Sequence, residues 1–311
     1  MKDWIEAARL RTLPLALASM LMGCFLAAIN GYFDIKIASL TILTAILLQI
    51  LSNYANDYGD SIHGADHKDR VGPKRAVQAG KITSSQMRNA VILFSLLSFV
   101  SGVLLLIVAI DFQKESSLKT LGFFLELGLF CIAGAILYTA GKKPYGYMGL
   151  GDIAVLIFFG WVAGGGTYFL QAQPYFQSST DFQSISWDIF LPATSCGLFA
   201  VGVLNLNNIR DIKSDILAGK NSIPVRIGKE KANIYHASVL ILAWVCALIF
   251  LGLNYQNLFN LLFLITLPLF VRNIIQVFKR KDMELDPLLK QLALSTLLFV
   301  ILFGISFLIK F

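Results

Sequence analysis

Two short stretches of this 311-residue sequence carry carboxylates in a pattern suited to metal-assisted phosphate chemistry. The first runs Asn53-Tyr54-Ala55-Asn56-Asp57-Tyr58-Gly59-Asp60 and the second Asn207-Asn208-Ile209-Arg210-Asp211-Ile212-Lys213-Ser214-Asp215. In each, an Asn precedes an Asp by one helical turn (Asn53 and Asp57, Asn207 and Asp211), and a second Asp follows one turn later, at Asp60 and Asp215. Side chains three or four apart share a helix face, so each stretch predicts a stack of oxygen ligands pointing one way. Carboxylates are hard ligands that suit magnesium, which keeps part of its shell for substrate phosphate. Two facing stacks would repel one another unless positive charge lay between them. With magnesium held by Asp57, Asp60, Asp211 and Asp215 they make a diphosphate site, where the charge growing on a leaving group is stabilised. The plainer alternative is that these acids cap helices or form turns. Their position argues against it, because the C-terminal end of a helix is the negative end of its dipole and two such pairs recur there.

The elements that must position these residues are legible in the hydropathy. The sequence is 56% hydrophobic and 14% charged, whereas a soluble domain carries roughly a quarter charged residues. Apolar stretches approaching the ~20 residues that span a bilayer alternate with short charged blocks. They predict an all-α polytopic membrane protein with helices near 12–30, 36–56, 87–110, 118–140, 150–171, 188–209, 232–253, 257–278 and 289–309. The first has no small-residue cleavage site after it and reads as a retained helix. If the N-terminus is cytoplasmic, all of the 26 Lys and Arg except Lys36, Lys114, Lys119 and Lys310 fall on the cytoplasmic side. The positive-inside rule therefore sets the orientation and requires an odd number of helices. It also accounts for the formal charge of +7 without nucleic acid. Four helices separate the two acid motifs, which predicts pseudo-repeats of about 1–140 and 141–280 plus helix nine at 289–309, in one domain with helices two and six facing each other.

Basic groups accompany the acids. Lys74 and Arg75 in the loop after helix two, Lys220 after the second motif, Lys143 after helix four and Arg11 before helix one are candidates for binding the diphosphate, Arg in bidentate fashion. The competing explanation for each is topology alone. The loop Tyr138-Thr139-Ala140-Gly141-Lys142-Lys143-Pro144-Tyr145-Gly146-Tyr147 suits an anionic aromatic or phosphate group, or equally an interfacial aromatic belt. Asn53, Asn56, Tyr145, Tyr147, Asn207 and Asn208 are the candidates for contacting substrate. The run Ala163-Gly164-Gly165-Gly166 reads as a close-packing surface, with a tunnel wall as the alternative. Glu126 is an ionisable group at membrane depth without an assigned role. Cys24, Cys131, Cys196 and Cys246 lie in apolar stretches and behave as small hydrophobes. His63, His67 and His236 lack zinc-ligand spacing and read as loop residues.

At these residues the chain resembles the UbiA-type intramembrane prenyltransferases. The family's Asn-Asp-x-x-Asp is Asn56 to Asp60, and its Asp-x-x-x-Asp is Asp211 to Asp215. Many relatives carry a further aspartate where Gly64 stands here, and Asp66 follows two positions later, which looks like the 1,4-dihydroxy-2-naphthoate branch. Arg70-Val71-Gly72-Pro73, Pro144-Tyr145-Gly146-Tyr147 and Asp286-Pro287-Leu288-Leu289-Lys290-Gln291 are similar to that branch as well. Asp152 departs from it, standing where Glu is expected. The resemblance implies a UbiA-like fold, magnesium, Asp66 among the substrate contacts, and polyprenyl diphosphate and 1,4-dihydroxy-2-naphthoate as substrates. It further implies decarboxylation to demethylmenaquinone at the cytoplasmic face of the inner membrane. Acceptors of the 4-hydroxybenzoate or haem type are the alternatives within the class, and a secondary transporter is the alternative outside it.

Overall fold

Every long apolar stretch is helical in the structure, a computed structural model that describes residues 1–63, 75–176 and 186–309. A short helix, α1 (Lys2–Ala7), precedes α2 (Leu13–Ile29), and α3 (Ile35–Ile62), α4 (Ser84–Ala109), α5 (Ser117–Leu137), α6 (Gly151–Tyr175) and α7 (Trp187–Arg210) follow. Two short pieces, α8 (Ile212–Leu217) and α9 (Ile223–Ile227), lead into α10 (Lys229–Asn254), α11 (Leu258–Lys279) and α12 (Asp282–Leu308). Among the described residues, α3 to α7 and α10 to α12 are long and apolar enough to cross a membrane, and α2 is apolar but shorter. This is the nine-helix architecture that the hydropathy predicts, and no strand occurs among the described residues.

Helix is the form that satisfies backbone hydrogen bonds within a single segment in hydrocarbon. The outer surface matches that solvent, since α4 alone exposes Ile92, Leu93, Leu96, Leu97, Val100, Leu104 and Ile107. Helix starts use local caps. Asp34 accepts from the amides of Lys36 (2.6 Å) and Ile37 (3.3 Å), and Thr83 with Gln86 forms a capping box before α4. The helices alternate in direction. Lys81 meets Glu6 (2.7 Å), Arg226 donates to the Met148 carbonyl (2.6 Å) and Lys229 to the Arg280 carbonyl (3.2 Å), all at one end of the bundle. At the other end Asp34 meets Gln171 (2.7 Å), Lys114 donates to Pro174 (2.8 Å) and Asn254 to Asp188 (2.7 Å).

The packing is lopsided. Around α7, α10, α11 and α12 the interior is filled by aromatic rings, with Phe199, Trp244, Phe263, Phe270, Phe299 and Phe303 in mutual contact. His236 is fully buried in this region and bonds Asn273 (2.9 Å), which corrects its reading as a loop residue. A buried imidazole that is hydrogen-bonded to a side-chain amide is tolerated in a packed interior. The opposite side holds a partly open cavity of about 360 Å³ lined by α2 to α6 and by Leu204 of α7. Its lining is mostly apolar and runs from Asn56 and Tyr138 at one end to Thr41, Leu105 and Phe124 at the other. In the small-residue run of α6, Gly164 and Gly165 pack against Ala193 and Phe190, while Ala163 and Gly166 line this chamber, so both readings of the run hold for different residues.

Candidate active site

α3 extends to Ile62 rather than stopping near residue 56, so Asp57 and Asp60 stand on its last two turns instead of beyond its end. The extension is held by close packing. Gly59 lies against the backbone of Thr139, whose hydroxyl donates to the Ala55 carbonyl and to Asn56 Oδ1 (both 3.0 Å). A Cβ at Gly59 would lie 2.6 Å from the Thr139 carbonyl group. Gly59→Ala is therefore expected to push the 138–150 loop away from α3 and to destabilise the protein by about 1–3 kcal/mol, read as a lower midpoint of thermal unfolding in detergent. A wild-type midpoint would refute the tight contact.

The second motif is built differently from the first. α7 ends at Arg210, and Asp211 sits at the break before α8, which carries Asp215. The break is bridged by bonds from the Asp211 amide to the Asn207 carbonyl (3.1 Å) and from the Asp215 amide (2.8 Å) and Ser214 hydroxyl (2.9 Å) to the Asp211 carbonyl, so the two acids keep a one-turn spacing without sharing a continuous helix.

All four aspartates are buried, with Asp57 and Asp60 each only 1% exposed. Asp57 accepts from the amides of Ala76 (3.1 Å) and Val77 (3.3 Å), tying the turn after the loop back to α3. Asp60 takes the Tyr147 hydroxyl (2.6 Å) and pairs with the Arg75 guanidinium, which also donates to the Asn56 carbonyl. Lys220 joins the two motifs, its ammonium lying 3.3 Å from Asp60 and 3.8 Å from Asp215, over the face of the Tyr147 ring. Asp211 is held by Arg210 through paired bonds of 2.8 and 2.7 Å, and the same guanidinium reaches Asn207 Oδ1 (2.7 Å) and Asp286 at the start of α12. Among the described residues, Arg75, Lys220 and Arg210 bring positive charge to these carboxylates.

The other predicted residues divide. Tyr145 lines the chamber mouth beside Tyr138. Burial pushes its phenol up to about 12, so it is a neutral donor, and it is engaged by the Gly134 carbonyl (2.7 Å). Asn56 is also at the mouth, immediately before Asp57. Asn53 donates to the Ala8 carbonyl (2.8 Å) and Thr12 (3.3 Å), which anchors the segment before α2. Asn208 is half-buried and Lys143 is exposed. Glu126 is exposed on α5 and is not part of the chamber wall. Asp152 is buried and accepts from Tyr235 (3.2 Å). Asp66, Lys74 and the side chain of Arg11 lie outside the described residues.

Sequence reasoning passed over Arg210 and Asp286 as functional residues. Arg210 was counted with the topogenic charges, although an Arg directly before an acid in the last turn of an apolar helix is the pattern of a buried pair. The loops at this end converge, since the Asn221 amide donates to the Tyr147 carbonyl (2.8 Å) and Arg226 clasps both loops. At Gly149, with φ +77°, a Cβ would lie 2.4 Å from the Asn221 carbonyl oxygen, so only glycine fits between them. Chemically, the arrangement sets hard carboxylate oxygens against ammonium and guanidinium groups, next to the Asn56, Tyr138 and Tyr145 end of the chamber.

The 1,4-dihydroxy-2-naphthoate octaprenyltransferase of Haemophilus influenzae is 43% identical over 316 residues, covering 99% of this chain and 96% of the relative. The apo structure of a UbiA homologue from Aeropyrum pernix K1 has the same fold, with a TM-score of 0.69 at 18% identity over 94% of this chain and 96% of that one. A UbiA homologue from Archaeoglobus fulgidus, solved bound to GPP and Mg2+, superposes with a TM-score of 0.59 at 16% identity over 97% and 99% of the two chains. Residues 16–308 match the UbiA prenyltransferase family, and the chain belongs to that family.

Proposed function

We propose that the chain transfers a polyprenyl group from polyprenyl diphosphate to 1,4-dihydroxy-2-naphthoate, releasing diphosphate and carbon dioxide and forming the quinol of demethylmenaquinone. The observation that carries this is one ammonium, Lys220, reaching buried carboxylates from both halves of the chain at the mouth of an apolar chamber. The relative's activity supports the acceptor, and the apolar lining of the chamber suits a prenyl tail. In this reading the halves are residues of about 1–140 and 141–280, each supplying one acid motif, with α12 tied in through Asp286. The protein is a multi-pass membrane protein, and we place its N-terminus and aspartate end on the cytoplasmic side of the inner membrane, where its Lys and Arg gather.

The donor set fits magnesium: four buried carboxylates and no soft ligand among them. Among the described residues no three acidic, histidine or cysteine groups converge into a cage, and magnesium does not need one, because it takes one or two carboxylates together with substrate phosphate. Asp57, Asp60, Asp211 and Asp215 would hold it, and when bound it supplies charge that stabilises the departing diphosphate. The rest falls to the chain. Arg75 and Lys220, already within reach of the acids, exchange these carboxylates for diphosphate oxygens as the substrate enters. Asn56, Tyr138 and Tyr145 frame the mouth, so the allylic carbon stops there with its tail in the chamber. The carbon–oxygen bond breaks with its electron pair leaving on the diphosphate. The apolar walls exclude water from the allylic cation until a ring carbon of the acceptor captures it. The carboxylate on that carbon then leaves as carbon dioxide, returning its electron pair to the ring.

Purified protein in nanodiscs, given polyprenyl diphosphate and dihydroxynaphthoate, is expected to release diphosphate and form the prenylated naphthol. Chelation with EDTA should stop turnover, and added magnesium should restore it. Product from 4-hydroxybenzoate alone would replace the acceptor, and no diphosphate release would remove the enzyme reading. A transporter is disfavoured by position, since its polar groups belong near helix centres and these acids occupy the final turns.

A further inference from the structure

Gly102 on α4, Gly128 on α5 and Gly166 on α6 all line the chamber, and a Cβ at any of them would meet no heavy atom within 4 Å. They come from three helices but lie at one level. The hydroxyls of Thr44 on α3 and Ser101 on α4 are bonded at 2.7 Å, which sets Gly102 opposite Thr44. Thr139 bonds the Ala55 carbonyl, and Gly128 lies as far back along α5 from Thr139 as Thr44 lies along α3 from Ala55. Between α5 and α6, Phe158 packs on Gly134 nearer the mouth and Phe124 meets Phe169 (6.0 Å) deeper in, so Gly128 and Gly166 fall between those two rungs. The level of Thr44 is roughly 20 Å from Asp57 at about 1.5 Å of rise per helical residue. Just beyond it Ile37, Leu106, Ala109 and Leu170 belong to a buried apolar cluster that packs α3, α4, α5 and α6 together.

We propose that these three glycines form a collar that sets the length of prenyl chain the enzyme accepts. Their missing side chains keep open a level that only the longer chains reach, and a larger residue there would meet the tail of a long substrate but not of a short one. The proposal rests on reading the chamber as the prenyl site.

The test compares Gly102→Leu, Gly128→Leu and Gly166→Leu with wild-type protein on prenyl diphosphates from geranyl to octaprenyl, with an alanine at the same position for any leucine variant that does not fold. Gly252→Leu is the control, because an added Cβ there also meets nothing within 4 Å, yet Gly252 on α10 is not part of the chamber wall. The ratio of long-chain to short-chain turnover should fall about tenfold or more in each collar variant, as when a pocket rejects added bulk. It should hold its wild-type value in the control. Equal losses at all lengths, or a wild-type length profile in folded collar variants, would overturn the collar while wild-type turnover still supports prenyl transfer. If wild-type protein releases no diphosphate from any chain length, the prenyl-transfer reading itself fails and the collar falls with it.

Discussion

Asp60→Asn should lower prenyl transfer by about a hundredfold to a thousandfold, the loss seen when one electrostatic stabiliser of a reacting centre is removed. Asp60 is the acid on which the site converges, with Tyr147, Arg75 and Lys220 all addressing its carboxylate. Asparagine keeps its volume and can still accept from the Tyr147 hydroxyl, so the helix end and the 138–150 loop should keep their places. What disappears is a full negative charge. The variant therefore loses a magnesium ligand and the anchor that presents Arg75 and Lys220 to the diphosphate. Asp57 makes a poorer probe, because its oxygens also hold the Ala76 and Val77 amides and its loss would disturb the fold of the turn. Initial rates of diphosphate release, measured beside thermal unfolding in detergent, decide the matter. Turnover above a tenth of wild type in a folded Asp60→Asn protein would exclude this carboxylate from the reaction.

The largest loss of stability is expected at Arg210. Its guanidinium is 2% exposed and is the common partner of Asp211, Asp286 and Asn207, linking the end of α7 to the start of α12. Arg210→Met removes the cation that lies between the buried Asp211 and the part-exposed Asp286. Breaking a buried ion pair from one side costs about 3–5 kcal/mol, much of it the uncompensated charge that remains. Lysine should rescue poorly, because one ammonium cannot reproduce a planar fork that binds Asp211 with two nitrogens while a third reaches Asp286. Asp286→Asn in the Arg210→Met background should recover part of the loss by deleting one of two neighbouring like charges. Equal unfolding midpoints for Arg210→Met and wild type would show that the network carries no stability.

The membrane fold was legible because its cause is local. Whether a stretch of ~20 residues crosses a bilayer depends on its own composition, and which loops stay inside depends on their Lys and Arg. The four aspartates could be singled out in the same way, since an acid at the end of an apolar helix is anomalous without knowledge of any neighbour. Partners are another matter. Asp60 meets Tyr147 and Lys220, and Arg210 meets Asp286, across long stretches of chain, and nothing local distinguishes an Arg that will be buried from one that serves only topology. The same holds for Asn53, which looked like half of a ligand repeat and is engaged by the backbone before α2. Composition also gave no hint that α7, α10, α11 and α12 would close on a solid aromatic interior while α2 to α6 would line a cavity. Both sides are made of the same kinds of apolar residue. Which side fills and which stays hollow depends on where Phe and Gly face one another between helices, and that relation exists only once the helices have packed.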